Sequence, residues 1–152
     1  VLDRKTLLAL IPQLREHFDI LEIGDKRGFG YENIYFDEKF LCYQQHHQGK
    51  RHRFKVRTRT YLDAGLCYFE VKLKDIRGKT NKKRIKYEKE NREIITPRAM
   101  NMLTSFYKEM YRKDFTYQLK KSSVIFYRRF NLVGKKSSER LTIDYDLTFQ
   151  VG

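Results

Sequence analysis

Polar and apolar residues alternate with a period of two along much of the chain. From 51 to 59 the odd positions Arg51, Arg53, Lys55, Arg57 and Arg59 are all cations, while Phe54, Val56, Thr58 and Thr60 occupy the even ones after His52. Successive side chains of an extended strand point to opposite faces, so this spacing predicts a strand over 52–62 with one cationic and one mostly apolar face. Ala64 and Gly65 supply a turn, and 66–74 alternates again: Cys67, Phe69, Val71 and Leu73 oppose Tyr68, Glu70, Lys72 and Lys74. Beyond a turn at Arg77-Gly78-Lys79, Lys82, Arg84 and Lys86 oppose Ile85 and Tyr87. Strands are also predicted at 33–36, 123–130 and 140–149, the last two joined by a turn over 134–138. In the last strand Arg140, Thr142, Asp144 and Asp146 share one face, and Leu141, Ile143, Tyr145 and Leu147 form an apolar one.

Helical spacing appears three times. Leu7, Leu8, Ile11, Leu14 and Phe18 form a stripe over 5–18, with Pro12 as an expected irregularity. A short helix is expected at 38–48, before Gly49. Met100, Leu103, Phe106, Tyr107 and Met110 form a second stripe behind Thr96-Pro97, an N-cap followed by proline in the first turn. Residues 25–30 are turn-rich. The expected fold class is α+β: an antiparallel sheet or barrel with helices on its apolar side and its ionic side open to water or lining a cavity. There are no repeats and no low-complexity linker, so residues 1–152 read as one domain.

Composition narrows the partners. The 33 Lys and Arg against 19 Asp and Glu give a net charge of +14, which points to an anionic partner: nucleic acid, phosphates or a membrane surface. The 11 Phe and 11 Tyr argue for a packed core rather than disorder. Cys42 and Cys67 match no metal-ligand spacing and are too few for a disulfide framework, so reduced thiols are expected. No apolar run approaches the roughly 20 residues that span a bilayer, and the start at Val1 lacks a signal-peptide layout. A cytoplasmic location is the expectation. The chain opens without Met, as a piece of a longer protein does.

An unmixed row of five cations on one strand face repels itself, and solvated faces usually mix signs. The row therefore favours contact with a polyanion over a plain solvated face. Lys72, Lys82, Arg84, Arg129 and Arg140 join it only if their strand faces converge. Glu70, Asp144 and Asp146 could bind a divalent cation through hard oxygen ligands, but screening of neighbouring arginines is the favoured reading. His46 and His47 are adjacent in a polar helix and diverge, so they and His52 read as solvated rather than metal-binding. Gly28 and Gly30 lie in no phosphate-loop or dinucleotide fingerprint, and no Ser-His-Asp or Cys-His arrangement is legible. Single-strand nucleic-acid binders place aromatics among their cations. The 51–59 row holds none, with Tyr61 alone continuing it, which favours recognition of phosphate charge without bases.

Seven segments in order carry a resemblance: Asp3-Arg4-Lys5, Tyr35-Phe36-Asp37, Lys55 through Tyr61, Phe69-Glu70-Val71-Lys72, Lys82-Lys83-Arg84-Ile85, Tyr127-Arg128-Arg129 and Arg140 through Asp144. They resemble the VTC domain, the polyphosphate polymerase module of the vacuolar transporter chaperone complex, and point to its bacterial members. The domain belongs to the CYTH-like triphosphate tunnel metalloenzymes. The resemblance implies an antiparallel β-barrel forming a triphosphate tunnel with a basic interior and flanking helices. It implies that Lys5, Arg57, Arg59, Lys72, Lys82, Arg84, Arg129 and Arg140 hold the phosphates, with Lys55 as an alternative in its own motif.

It further implies an ATP-dependent phosphotransferase that passes a nucleotide's terminal phosphoryl group to polyphosphate with Mn²⁺ or Mg²⁺. Family members usually carry a further Glu-x-Lys strand near the C-terminus that brings the metal-binding glutamate. None is found before Gly152, so a C-terminally incomplete chain and a shortened tunnel both stand. The metal ligand is left unassigned, with Glu70 and Asp144 as weak candidates. Expected partners are polyphosphate, triphosphate or ATP. The alternatives are a non-catalytic polyanion-binding module and, less favoured, a nucleic-acid-binding domain.

Overall fold

The computed structural model describes residues 3–151. Its elements run α1 (Arg4–His17), β1 (Phe18–Ile20), β2 (Gly28–Asp37), α2 (Leu41–His47), β3 (Arg53–Tyr61), β4 (Leu66–Lys74), β5 (Thr80–Tyr87), a 3₁₀ turn at Lys89–Asn91, α3 (Pro97–Tyr111), β6 (Lys120–Gly134) and β7 (Arg140–Val151). All strands belong to one antiparallel sheet, a curled half-barrel in which β5, β4, β3, β2 and β6 lie side by side. β1 pairs with the end of β6 beyond β2, and β7 covers the other side of β6. The α+β tunnel-like class read from the sequence is the class observed.

Alternation builds the core. Phe54, Val56, Phe69, Val71 and Leu73 project from β3 and β4 to the face covered by α3, and each is at most 3% exposed. Ala99, Leu103, Phe106, Tyr107 and Tyr111 of α3 are buried against them. Thr96 starts that helix in extended backbone, its hydroxyl accepting from the Ala99 N–H, with Pro97 in the first turn. Thr58 and Thr60, also on this face, are buried, and the Thr58 hydroxyl donates to the Arg92 carbonyl.

Four departures from the sequence patterns stand out. β2 reaches back to Gly28 through the stretch read as turn, because Phe29, Tyr31, Asn33 and Tyr35 line one face at a period of two while β3 and β6 pair with it on both sides. Arg51 lies before β3, so the strand's cationic row has four members, Arg53 to Arg59. α1 continues through Pro12, which is exposed and has no N–H to donate to the Leu8 carbonyl.

The fourth difference is β7, which has no covered apolar face. Leu147, Phe149 and Val151 are exposed, and the alternation breaks at Asp146. That residue sits at φ +51° opposite a register shift between Phe126 and Arg128. One bulged residue moves every later side chain to the other face. Phe149 and Val151 therefore oppose Ile125 and Ser123, on the side that Asp144 shares with Arg129.

Candidate phosphate-binding face

Residues directly opposed in an antiparallel ladder share a face, and two rungs place most of the candidate cations. Lys55, Lys72 and Lys82 face one another across β3, β4 and β5. The neighbouring rung runs Tyr35, Arg57, Glu70, Arg84. Arg59 follows on β3, opposite Asn33 and Tyr68. This is the face turned away from α3. A hollow of about 260 Å³ opens on it, lined by Arg53, Lys55, Arg57, Lys72 and Lys74 together with Tyr35, Glu70 and the rim residues His46 and Thr80.

Glu70 organises the centre. It is fully buried, and its Oε2 accepts from Arg57 Nη2 at 2.7 Å and Nε at 3.0 Å. Lys82 Nζ stands 3.1 Å from Oε1. That distance makes an ion pair, but the approach is not aligned as a hydrogen bond, so charge rather than a directed donor holds Oε1. Burial disfavours the charged carboxylate, yet Arg57 and then Lys82 outweigh it and hold its pKa below the ordinary range. Burial likewise opposes the Arg57 charge, while Tyr35 and Glu70 overcome it.

Lys72 has no such partner. Burial first, then Arg57, with smaller pushes from Lys82 and Arg59, bring its pKa down to about 8 against the pull of Glu70. Among the described residues no carboxylate stands within ion-pair distance of its ammonium.

Polar side chains aim the two arginines. Arg57 Nη1 donates to the Tyr35 hydroxyl at 3.0 Å. Arg59 Nε donates to Asn33 Oδ1 at 2.8 Å, and its Nη2 to the Tyr127 hydroxyl at 2.9 Å. Tyr35, Asn33 and Tyr127 were not singled out as orienting groups from the sequence. The period-two pattern of residues 29–35 was the available signal, hidden because aromatic and apolar residues occupy both sides of β2.

Arg129 reaches the same side from β6. Asp144 accepts from its Nε and, at 2.8 Å, from Nη2. Its guanidinium also lies 5.1 Å from the Tyr127 ring centre and 5.5 Å from that of Tyr31, whose ring the Arg59 guanidinium approaches to 5.4 Å. Tyr31 thus links Arg59 and Arg129 into one surface. Arg84 is covered differently, its guanidinium 4.7 Å from the ring centre of Tyr68.

Two candidates are not brought to this cluster. Lys5 is exposed in the first turn of α1. Arg140 is exposed at the start of β7, opposite Val133, four residues along that strand from Asp144. The 51–59 row itself holds no aromatic, but the face it joins does. Neighbouring strands add Tyr31, Tyr35, Tyr68 and Tyr127 to the face. Tyr31 lies 5.2 Å from both Tyr61 and Tyr127, and Tyr61 lies 5.9 Å from Tyr68.

The carboxylates do not make a metal cage. Among the described residues no three of His, Cys, Asp or Glu converge. Glu70 is held by Arg57 and Lys82, and Asp144 by Arg129. Screening is the role their contacts support. Among the described residues both cysteines are buried free thiols, and no helix is long and apolar enough to cross a membrane.

A family model described as VTC domain matches residues 1–151. No curated protein matches the chain.

Proposed function

We propose, since the chain belongs to the VTC domain family, that its cationic sheet face binds inorganic polyphosphate or triphosphate. The carrying observation is the convergence of Arg57, Arg59, Lys72 and Lys82 from three neighbouring strands around a single buried carboxylate. Arginine forks suit phosphate oxygens and lysines add point charges. One buried Glu70 cannot neutralise the group, and Lys72 lacks a partner of its own. An incoming phosphate supplies the missing negative charge.

The resemblance extends this to transfer of a nucleotide's terminal phosphoryl group onto polyphosphate. Phosphoryl transfer depends mainly on positioning and charge neutralisation, which is what these residues offer. A divalent ion would enter with the phosphate oxygens of the substrate. No metal-borne step is assigned to Glu70 or Asp144, because both are occupied by basic side chains.

Calorimetry with tripolyphosphate tests binding. Arg59→Ala together with Lys72→Ala is expected to weaken affinity at least about tenfold, a loss near 1.4 kcal/mol, with circular dichroism unchanged. Unaltered affinity would remove both residues from the site. Incubating the full-length protein with ATP and Mn²⁺ tests the polymerase step. If no polyphosphate forms, the transferase reading fails and binding stands alone.

A second reading has its own observation in the tyrosines on the face, since bases stack on aromatic rings beside cations. Against it, Tyr31 and Tyr127 are buried and Arg59, Arg84 and Arg129 lie over the tyrosines. Tighter binding of single-stranded RNA than of tripolyphosphate at physiological salt would reverse the preference.

A further inference from the structure

The sequence treats His46 and His47 alike, but α2 separates them. His47 stacks on Tyr43 of its own helix, with interplanar angle 9° and ring centres 6.3 Å apart. His46 instead stands on the rim of the cationic hollow, beside Lys55, Arg53 and Lys74. It also lines a second, larger hollow of about 700 Å³, and the two hollows share Tyr35, His46 and Lys55. An anion lying along the lysine rung of β3 to β5 therefore ends beside this imidazole.

Resting on the phosphate reading above, we propose that His46 is a proton-linked ligand of the bound polyphosphate. Its imidazole takes a proton from solvent as the anion enters, and the imidazolium then donates a charged hydrogen bond to a phosphate oxygen. No covalent bond changes. The only transfer is the proton, which returns to solvent when the anion leaves.

The surrounding charges support this. β3 faces His46 with Lys55 and Arg53, β4 with Lys74, and its own helix with His47. Lys55 has the largest effect, followed by burial, then Arg53, Lys74 and His47, and all of them lower its pKa below the ordinary 6.5. From β2, Tyr35 lines the hollow. Asp37 is spent on the start of α2, accepting from the Cys42 and Tyr43 backbone N–H groups. β5 contributes the neutral Thr80, and β7 contributes Phe149 and Val151 to the larger hollow. Glu70 is bound to Arg57 and Lys82. Among the described residues no carboxylate is thus free to charge His46, and a polyphosphate would reverse the sign of its surroundings.

The sign of the linkage follows. The imidazole is neutral in the free protein at neutral pH and becomes protonated in the complex. Binding takes up a proton between the two pKa values, and affinity rises as pH falls through that window. Calorimetry with tripolyphosphate, between about pH 5.5 and 8 in two buffers of different ionisation heat, measures the uptake for the wild type, His46→Gln and His47→Gln. A wild-type affinity advantage over His46→Gln is expected to grow from near unity at the upper end to roughly threefold to tenfold at the lower, where one pKa unit corresponds to tenfold.

Proton uptake should fall in His46→Gln only, with His47→Gln tracking the wild type. In NMR titrations the His46 ring signals should shift their midpoint upward on adding tripolyphosphate, and those of His47 should not. Parallel pH profiles and equal uptake, in proteins that all bind, would overturn the assignment of His46 and leave phosphate binding intact. A wild type that does not bind tripolyphosphate ends both readings.

Discussion

Glu70 has no exposed surface, while its partner Lys82 keeps 39% of its side chain open to water. Removing the carboxylate charge leaves Arg57 buried without its ion-pair partner, whereas Lys82 can turn outward. Breaking a buried pair from one side typically costs about 3–5 kcal/mol, and the freedom of Lys82 places Glu70→Gln near the low end, at about 3 kcal/mol. Urea denaturation of the variant measures it, and an unchanged midpoint would show that the pair contributes nothing. The same contact makes Arg57→Ala a poor probe of binding, since it strands the carboxylate.

Lys72 gives a pH dependence of its own. Its folded pKa of about 8 lies below the ordinary 10.5, so folding disfavours its charge at low pH. That penalty is complete below about 8 and relieved as pH rises toward 10.5, where the unfolded chain also loses its proton. A bound anion reverses the preference, so tripolyphosphate affinity should fall as pH rises through the range above 8. Lys72→Arg stays charged and should flatten that fall. Identical profiles in calorimetry would show that Lys72 does not meet the phosphate.

Among the elements, β3 and β4 were the most legible, because each has a clean cationic or mixed face opposite Phe54, Val56, Phe69, Val71 and Leu73. Their convergence with β5 into one site was not legible, since register depends on pairing partners that a single strand does not reveal. β7 misled for a sharper reason: a one-residue bulge at Asp146 inverts its later positions, and nothing in the alternation of 140–147 announces it. α3 was legible to its cap, and its role is structural. Leu103 is fully buried at the centre of the α3 contact with the sheet, so Leu103→Ala should lower stability by about 2–5 kcal/mol. The basic face lies on the opposite side of the sheet. While the variant remains folded, its tripolyphosphate affinity at moderate temperature should therefore match the wild type. A large affinity loss in folded protein would mean that α3 packing sets the geometry of the face.

At the scale of the whole molecule, a net charge of +14 draws any polyanion, so attraction alone does not distinguish a site from a sticky surface. Extent does. From Lys82 on β5 to Arg129 on β6 the basic face crosses four strand gaps. At roughly 4.8 Å each these span about 19 Å along the sheet. A pyrophosphate touches part of that width, whereas a longer chain can engage the lysine rung, the Arg57–Arg59 pair and Arg129 together. Affinity should therefore climb with phosphate number and level off once the face is filled. Its decline with added salt should steepen over the same range, because a longer chain pairs more charges, each screened by salt and each releasing counterions on binding. Calorimetry of phosphates of increasing length at two salt concentrations reads both trends. A general electrostatic surface would instead keep gaining affinity with every added charge and show no plateau, and that result would reduce the face to nonspecific attraction. Arg129→Ala should shorten the length at which the plateau begins without affecting pyrophosphate, because Arg129 stands at the far end of the row.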